Sequence, residues 1–149
     1  MGTAMVDVSE KPVVPRTARA SGRILLSAGT LARVREGRIV KGDVLATARV
    51  AAVLAVKDTP RIVPLCHPLP IERVDVDWDL DESSISCTVT VKSRARTGVE
   101  MEALAGVTAG LLAVWDMTKA YEKDEGGQYP STRITDIRVE DKKKGDARE

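Results

Sequence analysis

Between residues 73 and 80 the sequence reads RVDVDWDL, and polar and apolar residues alternate without a fault. A period of two is the period of a β-strand, whose successive side chains point to opposite faces. Val74, Val76, Trp78 and Leu80 therefore share one face, and Arg73, Asp75, Asp77 and Asp79 the other. Four charged residues in a row need water, so this strand belongs to a sheet with one wet side. After the turn residues DESS (81–84) the pattern resumes. Ile85, Cys87, Val89 and Val91 alternate with Ser86, Thr88, Thr90 and Lys92. The two runs predict an antiparallel hairpin with one buried face. Cys87 falls on the apolar face and reads as a small core residue.

A sheet with one dry face needs a second layer over it. The segment GDVLATARVAAVLAVKDT (42–59) predicts a helix capped by Asp43 and stopped by Pro60. Arg49 is its only charge between Asp43 and Lys57, so the helix is expected to be buried on nearly all faces. TGVEMEALAGVTAGLLAVWDMTKAYEK (97–123) predicts a longer helix. Thr97 and Glu100 fit a capping box at its start. Gly106 and Gly110, with Ala105, Ala109 and Ala113, leave flat patches on which another helix can sit. TARASGRILLS (17–27) and STRITDIRVED (131–141) read as strands, and AGTLARVREG (28–37) as a short helix closed by Gly37.

The expected architecture is α+β, with helices packed on one face of an antiparallel sheet. It forms a single domain over residues 1–149, with an arm over about 1–15 and a solvated tail over about 142–149. Phe is absent, so the core rests on Val, Ile, Leu, Ala and Met. The 23 basic and 22 acidic residues nearly cancel, which argues against a general nucleic-acid binder. The longest uncharged run, Ala103 to Trp115, is too short for the ~20 residues of a bilayer span. No apolar leader is visible at the start, and a soluble, cytoplasmic protein with no membrane partner is expected.

The stretch PLCHPL (64–69) sets Cys66 beside the chain's one histidine, His67. Structural zinc sites take four ligands, commonly in spaced Cys or His pairs. Here there is no second His, and Cys87 points to the core, so no metal site is expected. Adjacent residues of an extended loop point apart, which excludes a simple Cys–His nucleophile pair. What remains is a proline-framed loop that offers His67 to a pocket, or an ordinary surface or core histidine. Lys41 and Gly42 stand just before a helix start, where backbone N–H groups and an ammonium make an anion site. The other reading is a solvated loop lysine.

Asp116 and Lys119 are i, i+3 partners beside Trp115 and share a helix face. They are either a surface ion pair of little worth or a base and acid with shifted pKa values at the edge of a buried helix. Glu102, in GVEMEAL, enters a helix that soon becomes uncharged. It stands fourteen residues before Asp116 on the same face, ~21 Å away at the α-helical rise. One small substrate cannot easily touch both in one subunit. If both are functional, a second subunit completes the site.

The stretches MVDVSEK (5–11), KGDVLATARVAA (41–52), VPLCHPL (63–69), TGVEMEAL (97–104) and WDMTKA (115–120) stand together in the order and spacing of one family. From about residue 5 to 140 the chain resembles the molybdenum cofactor biosynthesis protein C (MoaC) family. The resemblance implies a ferredoxin-like fold and a hexamer, a trimer of dimers, with active sites at subunit interfaces. It implies cyclic pyranopterin monophosphate synthase activity. The substrate is then (8S)-3′,8-cyclo-7,8-dihydroguanosine 5′-triphosphate, and pyrophosphate is the second product. The family's catalytic aspartate falls on Asp116 and its essential lysines on Lys41 and Lys119. Its substrate-binding tripeptide falls on Leu65, Cys66 and His67, and a binding pair on Met101 and Glu102, with Glu100 in the same motif. His67 is expected to serve both binding and catalysis.

No cofactor is required by the sequence, although Mg²⁺ can accompany the triphosphate. Where relatives end in a Gly-Gly-Lys-Ser-Gly-like tail, this chain ends DKKKGDARE, and its lysines would have to substitute. The competing expectation is a non-catalytic ferredoxin-like nucleotide-binding module. It would keep the pocket but lose the reacting groups, and Lys41, His67, Asp116 and Lys119 are all in place.

Overall fold

The computed structural model describes residues 1–148. The elements run β1 (Val14–Leu25), α1 (Ala28–Arg35), α2 (Val44–Lys57), α3 (Thr59–Ile62), β2 (Ile71–Leu80), β3 (Ser84–Ala95), α4 (Glu100–Glu122) and β4 (Arg133–Lys144). The strands form one antiparallel sheet in the order β2-β3-β1-β4. With the main helices α2 and α4 as crossovers, this is the ferredoxin-like α+β arrangement.

The hairpin has the register its alternation demands. Val74 faces Val91, Val76 faces Val89, Trp78 faces Cys87 and Leu80 faces Ile85. The Asp81 carboxyl closes the turn, accepting from the Ser83 (2.8 Å) and Ser84 (2.7 Å) backbone N–H groups. Ile85, Cys87, Val89 and Val91 are fully buried beneath Val107, Leu111 and Val114 of α4. Each such aliphatic side chain contributes ~1.5–3 kcal/mol by leaving water. Gly106 sits where α4 packs tightly on its neighbours. A Cβ there would lie 2.9 Å from Val56 of α2 and 3.0 Å from Val89 of β3. The small-residue patch on this helix therefore does seat another helix.

Four expectations are corrected. The first concerns α2, which is not buried all round: Val50 and Leu54 are 59% and 53% exposed. The helix lies beside α4 and against β2, so its core is met on one side only. Second, α4 does not begin with a Thr97 capping box. Val99 is its N-cap residue, with no side-chain cap hydrogen bond. Val99 is fully buried, so burial of its side chain sets the entry into the helix. Glu100 folds back over Gly98 instead. Third, β1 starts earlier than expected, at Val14. Fourth, β4 runs on through Lys142, Lys143 and Lys144, which pair with Ala18, Thr17 and Arg16 of β1. The three lysines are thus strand residues and not solvated tail. Among the described residues no helix is long and apolar enough to cross a membrane.

The end of α4 is tied down by a buried polar knot. Glu122 accepts from the Ser27 hydroxyl (2.8 Å), the Thr132 hydroxyl (2.8 Å), the Thr30 hydroxyl and the Ser27 backbone N–H (3.2 Å). Ser27 is also the N-cap of α1. One carboxyl group thus joins the start of α1 and the approach to β4 to the last turn of α4.

Candidate active site

The expected site residues fall into two groups at opposite ends of α4. At the C-terminal end, Lys41 Nζ reaches across from the turn before α2 to Asp116. It lies 3.0 Å from Oδ2 and 3.2 Å from the Asp116 carbonyl oxygen. Lys119 Nζ lies 3.2 Å from Oδ1 of the same carboxyl. The lysine and the aspartate meet although 75 residues separate them. The two ammonium groups, Lys41 foremost, hold the Asp116 carboxyl below its usual range. Asp116 therefore carries its charge at neutral pH in the free protein. Leu112, Trp115 and Ile134 form an apolar wall beside this trio, and Tyr129 packs edge-on against Trp115 with ring centroids 5.2 Å apart.

At the N-terminal end stand Glu100, Met101 and Glu102, with the PLCHPL loop nearby. Leu65 and Met101 are exposed, while Cys66 and His67 are half-buried. His67 lines an apolar groove with Val8, Val13, Leu69 and Thr97. Cys66 offers only a weak 3.7 Å contact to the His67 carbonyl. Burial, and then the charge of Glu102, push its thiol pKa up, so it is not a thiolate nucleophile at neutral pH.

Glu102 is the most unusual group here. It is 3% exposed, and neither carboxyl oxygen has a hydrogen-bond partner. Burial is the main reason its pKa is pushed up to about 7. The folded state therefore keeps this proton at pH values where the unfolded chain, with an ordinary carboxyl near 4.5, has lost it. The group's contribution to stability falls as pH rises from about 4.5 to about 7, and the full penalty remains above that. We expect Glu102→Gln to stabilise the free protein by on the order of 2 kcal/mol near pH 8 and to change little near pH 4. Urea melts at the two pH values check this. Equal gains at both would mean the carboxyl is solvated.

Between these residues and the end of the sheet lies a basic cluster, of which only the DKKK lysines were named above, as stand-ins for the relatives' tail. Lys11, Arg16, Lys142, Lys143 and Lys144 surround Gly98 and Glu100. Lys142 Nζ is 3.9 Å from Glu100 Oε2. Arg16 donates to the Arg96 carbonyl at 3.1 Å, and Arg96 donates to the Lys11 carbonyl at 3.2 Å. The arm is thus pinned where Lys11 joins the cluster. The signal for these residues was the KKK run, hidden by its reading as a tail.

No distance within one chain brings the two groups together. Glu102 and Asp116 stand at opposite ends of α4, ~21 Å apart along its axis. Among the described residues no group of three or more His, Cys, Asp or Glu could hold a metal ion.

The MoaC family model matches residues 5–145. A Methanoregula boonei protein named "Probable cyclic pyranopterin monophosphate synthase" is 61% identical over 95% of this chain and 91% of its own length. A Pyrococcus abyssi protein of the same name is 55% identical over 95% and 89%. A Methanothermobacter thermautotrophicus protein, named "Probable cyclic pyranopterin monophosphate synthase accessory protein", is 57% identical over 96% and 90%. On a match that covers nearly all of its length, the chain belongs to the MoaC family.

Proposed function

We propose that the protein is a cyclic pyranopterin monophosphate synthase, a phosphorus–oxygen lyase acting in the cytoplasm in molybdenum cofactor biosynthesis. It takes (8S)-3′,8-cyclo-7,8-dihydroguanosine 5′-triphosphate to cyclic pyranopterin monophosphate and pyrophosphate. The observation that carries the reading is the Lys41–Asp116–Lys119 trio, one carboxyl between two ammonium groups at 3.0 and 3.2 Å.

The chemistry suits these groups. A substrate hydroxyl attacks the α-phosphorus, a new P–O bond forms, and the bond to pyrophosphate breaks. Lys41 and Lys119 neutralise charge developing on the phosphate oxygens. As the phosphates engage the lysines, Asp116 loses the cations that held its pKa down. Its pKa then moves back up towards the ordinary aspartate value, which makes it a better proton acceptor than in the free protein during ring rearrangement or cyclisation. At the other end of α4, the unpartnered Glu102 carboxyl suits the N–H groups of a guanine-derived ring. His67, offered by the proline-framed loop, serves as a proton donor or acceptor, Leu65, Cys66 and Met101 shape the pocket, and Glu100 orients Lys142. The basic cluster around Arg16 offers further anion contacts. Mg²⁺, where it takes part, arrives on the triphosphate.

The ~21 Å between the two groups supports a site completed by a second copy, within a hexamer built as a trimer of dimers. Exposed Val50 and Leu54 on α2 and Met101 and Leu112 on α4 are surfaces such an assembly would cover. Incubation with the cyclised dihydroguanosine triphosphate, followed by pyrophosphate assay and light scattering, tests both statements. We expect stoichiometric pyrophosphate from an oligomer. Binding without pyrophosphate would make the protein a nucleotide-binding module, and a fully active monomer would remove the shared site.

A further inference from the structure

The turn that carries Lys41 has little packing to hold it. Residues 39–42 close through the Gly42 N–H to the Ile39 carbonyl at 3.0 Å, and Gly42 takes a φ of 115°. Ile39 is buried at one end, and Asp43 caps α2 at the other, accepting from the Ala46 N–H at 3.0 Å. Between these anchors Val40 is 93% exposed, so its side chain fixes nothing. Its backbone N–H instead donates to the Tyr121 hydroxyl oxygen at 3.0 Å.

Tyr121 is itself held from several sides. The Arg33 guanidinium of α1 lies 4.8 Å from its ring centroid, a cation–π contact. The next residue is Glu122, fixed by Ser27, Thr30 and Thr132. The tyrosine also stands on α4, the helix that presents Asp116 and Lys119. Helix, ring and turn tip thus form one short rigid path from Asp116 back to Lys41.

We propose that Tyr121 is a positioning residue for Lys41: by accepting from the Val40 N–H, its hydroxyl sets where the Lys41 ammonium meets Asp116. A lysine is a point charge on a flexible four-carbon stem. Its exposed ion pair alone holds it weakly. A turn tip displaced by ~1 Å would break a 3.0 Å contact, and at a catalytic centre misplacement of that order costs as much as ~100-fold in rate. The consequence for turnover rests on the function proposed above; the placement of the ammonium does not.

Tyr121→Phe keeps the ring beneath Arg33 and removes only the acceptor oxygen. The Asp116 titration is followed by carbon-13 NMR in Tyr121→Phe, in Lys41→Ala and in the double variant. In Tyr121→Phe we expect the Asp116 midpoint to rise towards the ordinary aspartate value, and melting to stay within a few degrees of the parent. In the Lys41→Ala background the tyrosine substitution should move the midpoint no further. Pyrophosphate release should fall ~10-fold in kcat with KM nearly unchanged. An unmoved Asp116 midpoint in Tyr121→Phe, or the same rise with Lys41 absent, overturns the proposal. A moved midpoint with normal turnover leaves the positioning standing and removes the trio from the chemistry.

Discussion

Asp116→Asn is expected to fold, assemble and melt within a few degrees of the parent chain while releasing pyrophosphate at least ~100-fold more slowly. Asn matches Asp in volume and still accepts hydrogen bonds, so Lys41 and Lys119 keep a partner. Asp116 is more than half exposed, and an ion pair in that setting adds little to folding. What Asn cannot do is take up a proton. It also leaves two ammonium groups with no counter-charge between them, which changes how the phosphates are received. Steady-state pyrophosphate assay beside a thermal melt separates the two readings of the trio. Near-normal turnover would leave this helix end as scaffold and move the proton transfers elsewhere. A large drop in melting temperature would show the carboxyl to be structural after all.

Glu122→Ala is expected to be the most damaging single polar substitution to stability. The carboxyl is 9% exposed and accepts from three hydroxyls and a backbone N–H. Removing it strands donors in a buried place and opens a small void. Each stranded group costs ~1–3 kcal/mol, less what the freed hydroxyls recover from one another. A net loss of ~3 kcal/mol follows, a fall of ~6–12 °C in melting temperature for a chain of this size. Glu122→Gln, which keeps the volume and one acceptor oxygen, should lose less. Melts at fixed protein concentration are required, since assembly adds to apparent stability. A loss below ~1 kcal/mol for Glu122→Ala would mean that water takes the carboxyl's place.

These two residues also mark where the sequence was legible and where it was not. The hairpin register could be written down from alternation alone, because a slip of one residue would drive Asp75, Asp77 and Asp79 into the core. Asp43 as a helix cap was equally plain, since the cap and its partner are three residues apart. Asp116 and Lys119 could be paired by helix geometry. Lys41 could not be joined to them from spacing, because that contact crosses 75 residues and depends on how α2 lies against α4. Nothing local singles out Glu122, for its partners Ser27 and Thr30 stand 95 and 92 residues earlier in the chain. The capping box at Thr97 failed for a related reason. Local hydrogen bonding favoured it, but burial of Val99 against the rest of the core decided where the helix begins. Lys142, Lys143 and Lys144 looked like tail because charge dominates their composition. Only pairing with β1 makes them a strand.

The strand order leaves β2 and β4 at the two rims of the sheet, each with a row of backbone groups open to recruitment by another chain. β2 carries Glu72, Asp75, Asp77 and Asp79 against a single Arg73, so two copies meeting rim to rim on β2 bring acid against acid. β4 ends in three lysines and resists its own copy in the same way. The remaining route is β2 of one molecule on β4 of the next, where the charges attract and head-to-tail growth would not close. There the backbone intervenes. β4 bends at Asp136, which takes a φ of 59°, and its pairing with β1 breaks register twice, between Arg19 and Ala20 and between Ser21 and Arg23. A rim so kinked is a poor template for fibril growth.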